Sequence, residues 1–86
     1  MPEQLSFVAF VISLASTAAI HLGDLVDPVT NQKAPTNLEG AAQMIEILSL
    51  LEEKTKGNLT EDEQRLLDSA LYEGRMRYVQ VASQFV

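Results

Sequence analysis

Few side chains in this 86-residue chain have the types and spacing that chemistry uses. The first group is His21, Asp24 and Asp27, at the end of a long apolar run. Imidazole and carboxylate are metal ligands, and three of them within one turn and a loop invite that reading. Against it, Asp27 precedes a proline, the chain holds no other histidine, and a histidine in a last helical turn complements the helix dipole without any ligand. The sequence predicts no metal site. The second group is Glu61, Asp62 and Glu63, with Glu52 and Glu53 upstream. It lacks the alternating oxygen ligands and central glycine of a calcium loop, and negative charge at a helix start explains it.

Arg75 and Arg77 could clamp a phosphate or a partner's carboxylate. Two residues apart on a helix they diverge by about 160°, so the expectation is separate structural pairs, with Asp68 or Glu73 as partners for Arg75. "NLT" at 58–60 matches a glycosylation acceptor but sits where a helix cap is expected. Nucleophilic catalysis has little to work with: no cysteine, one histidine, and serines mostly on one helix strip. The sequence names no catalytic residue and no cofactor, and a non-enzymatic protein is expected.

Composition narrows the partners. Twelve acidic residues against six basic ones give a net charge of −6, which opposes nucleic-acid phosphate. The six positives are scattered, so no nucleic-acid partner is expected. "MPEQ" lacks the positive start of a signal peptide, which favours a cytoplasmic protein. One small domain is expected, near the size at which a single core is barely sufficient, with no disulfide to help.

The elements that would position these groups are three helices. Residues 4–22 carry no charge and read as the first helix, with Gly23 as the left-handed residue that ends it. Ser6, Ser13, Ser16, Thr17 and His21 fall within an arc of about 140°, opposite Phe7, Val8, Val11, Ala15, Ala18 and Leu22. Hydroxyls there can bond the carbonyl one turn back. Residues 23–36, with Pro28, Pro35 and a turn-like "TNQK", read as a linker. Asn37 is a candidate N-cap for a second helix over 37–56. Its apolar positions, from Leu38 to Leu51, spread over about 200°, more than one neighbour can cover. "KTKGNLTEDE" then marks a helix end, a left-handed Gly57 at C′, and a capping box of Thr60 with Glu63. A turn at 57–60 this short predicts that the second helix and a third, over 61–85, fold back as an antiparallel hairpin. The third helix carries a seam of Leu67, Leu71, Gly74, Tyr78, Val81 and Phe85, spaced 4, 3, 4, 3, 4. Gly74 within it suggests the close approach of another backbone.

What covers the first helix is the decisive question. Nine large apolar side chains lie in residues 5–22, each contributing roughly 1.5–3 kcal/mol when fully buried. Exposed, they would forgo about 15 kcal/mol or more, as much as a whole domain's stability. A bilayer could shelter the run, which is long enough to cross a hydrocarbon core of about 30 Å. However, no Lys or Arg flanks it and no Trp or Tyr belt is present. One hairpin can sheath only part of a helix that is apolar on most sides. Sister chains solve that problem, and Ala9, Ser13 and Thr17 form a small-residue ridge that permits close helix approach. The expected contacts between copies are Phe7, Val8, Phe10, Val11, Leu14, Ala18 and Leu22 of the first helix, Ile47 and Leu51 of the second, and Leu71, Gly74 and Tyr78 of the third.

Two blocks, "FVISLASTAAIHLGDLVDP" and "MIEILSLLEEKTKGNLTEDEQRLLDSALYEGRMRYV", carry a resemblance. With Leu22–Gly23, Pro28, the Ile45/Leu48/Leu51 spacing, and "KTKGNLT" running into Glu63, the chain resembles the small bacterial family described as domain of unknown function 1844. The resemblance runs from about Phe7 to Val79, and "KTKGNLT" is its most specific part. It implies a short, helical, bacterial protein and brings no catalytic residue with it. The chain departs from the family pattern at Gly74, where a bulkier or charged residue is expected. The combined expectation is an all-α homo-oligomer, most simply a dimer, serving as an interaction or scaffold module in the cytoplasm. The alternatives are a membrane-associated protein that inserts its first helix, and a carrier of an apolar small molecule.

Overall fold

In the computed structural model, which describes residues 6–85, three α-helices pack against one another: α1 (Phe7–His21), α2 (Leu38–Lys54) and α3 (Glu61–Ala82). A single 3-10 turn, Ser83–Phe85, follows. No strand occurs among the described residues; one isolated bridge joins Asp27 and Gln32. The protein is all-α, as its sequence suggests.

α1 begins later than the apolar run does. Ser6 is extended, and its hydroxyl accepts from the Ala9 backbone N–H at 3.0 Å, which makes it the N-cap. Gln4 and Leu5, expected within this helix, lie outside the described residues. The helix ends in a Schellman motif: Asp24 N–H donates to Ala19 O, Gly23 N–H donates to Ile20 O, and Gly23 takes a φ of +84°. Fifteen residues rising about 1.5 Å each give about 22 Å, short of the roughly 30 Å of a hydrocarbon core. Among the described residues no helix is long and apolar enough to cross a membrane. Two hydroxyls behave as expected: Ser13 donates to Phe10 O at 2.8 Å and Thr17 to Ser13 O at 2.9 Å.

The connection after α1 is a closed loop. Asn37 N–H donates to His21 O at 2.7 Å, so the chain returns to the end of α1 before α2 starts. Asn37 then caps α2, its side-chain oxygen accepting from Gly40 N–H at 2.9 Å. The left-handed residue in the loop is Asn31, at φ 57°, within the "TNQK" segment. The junction of α2 and α3 follows its sequence signals. Glu63 N–H donates to Thr60 Oγ1, and Thr60 N–H donates to the Glu63 carboxylate. Gly57 has the positive φ, two residues beyond the Thr55 cap and so one later than C′.

α3 runs back along α2, with Gly74 beside Ile45 and Arg75 bonded to Ser49. Two clusters form the core. Val11, Leu48, Leu67 and Leu71 join all three helices near the middle, with Phe7, Leu14 and Ile45 packed around them. Leu22, Ala41 and Val81 make the second cluster, with Tyr78 at its edge. The expected seam of α3 is therefore internal as far as Val81. Phe85 leaves it, exposed on the 3-10 turn, because the tighter winding after Ala82 shifts its direction. At Gly74 the neighbour is a side chain and no other backbone: a Cβ there would sit 3.4 Å from Ile45 Cγ1.

Candidate functional site

The ionisable groups first considered for chemistry are placed for structure. Asp24 accepts two hydrogen bonds from Arg77, Nε to Oδ2 and Nη2 to Oδ1, each 2.7 Å. The bonded guanidinium holds the Asp24 carboxyl below its ordinary value of 3.8, against the partial burial that would raise it. The same bond raises Arg77 above its own ordinary value. Asp27 Oδ1 accepts from Val29 N–H at 2.8 Å, an Asx turn. His21 sits over the first turn of α2, its Nε2 3.0 Å from where a Cβ on Gly40 would lie. Asp24 and Asp27 thus each have a structural partner, and among the described residues no group of three His, Cys, Asp or Glu is placed to hold a metal.

Arg75 is bonded to Ser49 Oγ at 3.3 Å, not to the Asp68 or Glu73 expected from the sequence. It is Arg77 that makes the long-range ion pair, tying α3 to the loop after α1. Of the acidic triplet, Glu61 and Asp62 pair with Arg65 on the helix surface and Glu63 completes the capping box.

What is left is apolar surface. Val11, Ala18, Leu22 and Leu71, expected between copies, are enclosed within the single chain. Phe7, Leu14 and Tyr78 are half-buried against the core, and Phe10, Ile47, Leu51 and Gly74 are partly covered. Val8 is exposed. Beside it stands Ile12, 49% exposed and absent from the expected set. With Ala15 and Ala19 these residues are spaced 4, 3, 4, and they form one row along α1. The outward side of α1, from Val8 through Ala9, Ile12, Ser13 and Ser16 to Ala19, carries no ionisable group. Below the alanine end of the row lies a gap of about 250 Å³, lined by Ala15, Ala18 and Ala19 of α1, Ala70 and Gly74 of α3, and Leu48 of α2. The Asp24–Arg77 pair stands at its edge.

A second apolar strip runs along α3. Tyr72 and Val79 are 66% and 65% exposed, with Met76 between them. They line a shallow groove of about 620 Å³ together with Glu52, Asp68 and Arg75. Sequence reasoning passed over this strip because the stronger seam on the same helix accounts for most of its large residues. The spacing of Tyr72, Met76 and Val79, 4 then 3, was the available signal.

No curated protein and no solved structure matches the chain. The family described as Domain of unknown function (DUF1844) matches residues 4–80. That span holds α1, α2, all of α3 but its last two residues, both caps of the α2–α3 junction and the uncovered row on α1. The chain belongs to this domain-of-unknown-function family, DUF1844.

Proposed function

We propose that this protein is a non-enzymatic, self-associating interaction module of the cytoplasm, whose first contact is with another copy of itself through α1. The observation that carries the reading is the outward side of α1, free of charge and polar only at Ser13 and Ser16, on a chain whose net charge is −6. Two such chains repel wherever their acidic surfaces meet, and an uncharged face is where they approach at least cost. Its large members, Val8 and Ile12, remain exposed after the single chain has folded. An acidic exterior and the Tyr72–Val79 strip remain outside such a contact, available to other proteins. The carrier alternative is less well supported. The gap of about 250 Å³ is smaller than the roughly 300–1,000 Å³ of small-molecule pockets.

Sedimentation velocity over micromolar to submillimolar loading tests the reading. The expected result is a mass that rises with concentration toward twice the 9.5 kDa of one chain. A mass that stays at 9.5 kDa throughout overturns it.

A further inference from the structure

The row on α1 is divided by size. Val8 and Ile12 occupy its amino-terminal half as exposed large side chains, while Ala15 and Ala19 occupy the carboxy-terminal half above the gap that Ala70 and Gly74 of α3 continue. Val8 and Ile12 are four residues apart, as are Ala15 and Ala19, about 6 Å along the axis in each case. One half of the row therefore has the projections and the other half has the recess, at the same spacing. Such a surface is complementary to itself when reversed.

Resting on the proposed self-association, we infer that two copies pack α1 against α1 antiparallel, about a two-fold axis crossing the helix between Ser13 and Leu14. In that register Ile12 meets the partner's Ala15, and Val8 meets the partner's Ala19. Each layer sets one large side chain against one small one, and both recesses are filled at once, as a two-fold contact requires. A parallel arrangement sets Val8 on Val8 and Ala19 on Ala19, crowding one end and leaving the other hollow. Antiparallel α1 helices also place opposite dipole ends together. α1 itself brings no ionisable side chain to this face; at the rim of the recess stand Glu73 of α3 and the Asp24–Arg77 pair, whose charges offset each other. A strip about 22 Å long and about 10 Å wide covers on the order of 220 Å², well below the roughly 800 Å² per partner of a standard stable interface, so the dimer is weak and concentration-dependent.

The chain has no cysteine, which makes cross-linking a clean test of register. Val8→Cys and Ala19→Cys variants, both at positions outside the core clusters, are mixed, oxidised and resolved on a non-reducing gel after one of them is given a mass tag. The expected product is the mixed Val8→Cys/Ala19→Cys disulfide, in clear excess over either homodimer. The Ile12→Cys and Ala15→Cys pair gives the same pattern. Homodimers of each variant in excess show a parallel contact and overturn the register. Concentration-dependent association of the unmodified chain without the mixed product overturns the register alone. A monomeric mass at all concentrations overturns both the register and the self-association beneath it.

Discussion

Ile12→Ala separates what α1 does inside one chain from what it does between chains. The substitution removes three carbons, worth about 0.8 kcal/mol each when fully buried, or about 2.4 kcal/mol. Ile12 is 49% exposed, so about half of that, near 1.2 kcal/mol, remains to be gained when a partner covers it. A two-fold contact repeats the loss in both chains, giving about 2.4 kcal/mol per dimer, or about a 50-fold rise in the dimer dissociation constant. Within the monomer the effect is smaller. The half already buried is lost, but alanine regains a few tenths of a kcal/mol in helix propensity, leaving a net loss of about 1 kcal/mol or less. Sedimentation equilibrium reads the first quantity, and urea unfolding at low concentration reads the second. A dissociation constant within about threefold of the parent chain's would show that Ile12 gains no burial on association, because the expected change is more than ten times larger. Ile12 would then lie outside any contact between copies, and α1 would not be the face that joins them.

The neighbouring Val11, 0% exposed, gives the opposite result: Val11→Ala lowers unfolding stability by about 2 kcal/mol through two lost methyl groups and the cavity they leave, as read by urea unfolding at low concentration. Thr60→Ala removes the hydroxyl that accepts from Glu63 N–H at 3.1 Å and costs about 1 kcal/mol, a fall in Tm of about 4–8 °C by circular dichroism. Asp24→Asn disrupts the pair with Arg77, and its effect depends on pH. Because the folded Asp24 carboxyl titrates below its ordinary value of 3.8, its stabilisation is complete above that value and fades as pH falls through the lowered one. The stability difference between parent and Asp24→Asn, present at neutral pH, therefore shrinks in acid below 3.8, and a difference that grows there contradicts the pairing. Gly57→Ala places a Cβ in open space at φ +84°, so it destabilises by about 1 kcal/mol through backbone strain alone, while Gly57→Asn costs less.

The sequence was most informative where the determinants are local. Asn37, Gly57 and the Thr60–Glu63 box each act through groups a few residues away, and each appears in the structure at or within one residue of its expected place. The α3 seam was legible from Leu67 to Val81 because α3 is polar on its other sides, apart from the Tyr72–Val79 strip. The Asp24–Arg77 pair was not legible. Its partners are 53 residues apart, and nothing local distinguishes Arg77 from Arg75 as the one that reaches the loop. Leu50, exposed among Glu39, Gln43, Glu46 and Glu53 on the wet side of α2, likewise gave no warning.

α1 is the case where the pattern is too coarse, for a physical reason. α1 is apolar over most of its circumference, so its one polar strip points to Val11, Ala18 and Leu22 as the inner side but does not mark where the buried face ends. Val8 and Val11 are equivalent to any hydropathy scale, yet one is exposed and the other wholly enclosed. The hairpin decides between them, because Leu48, Leu67 and Leu71 leave one site into which Val11 fits. Once Val11, Ala18 and Leu22 are committed inward, the helical period turns Ile12, Ala9 and Ser16 outward. The large–small division of the Val8–Ala19 row is thus a product of folding, visible only after the core has claimed the other side of the helix. An uncharged face that the chain's own core does not need is the strongest physical reason to look for a second copy.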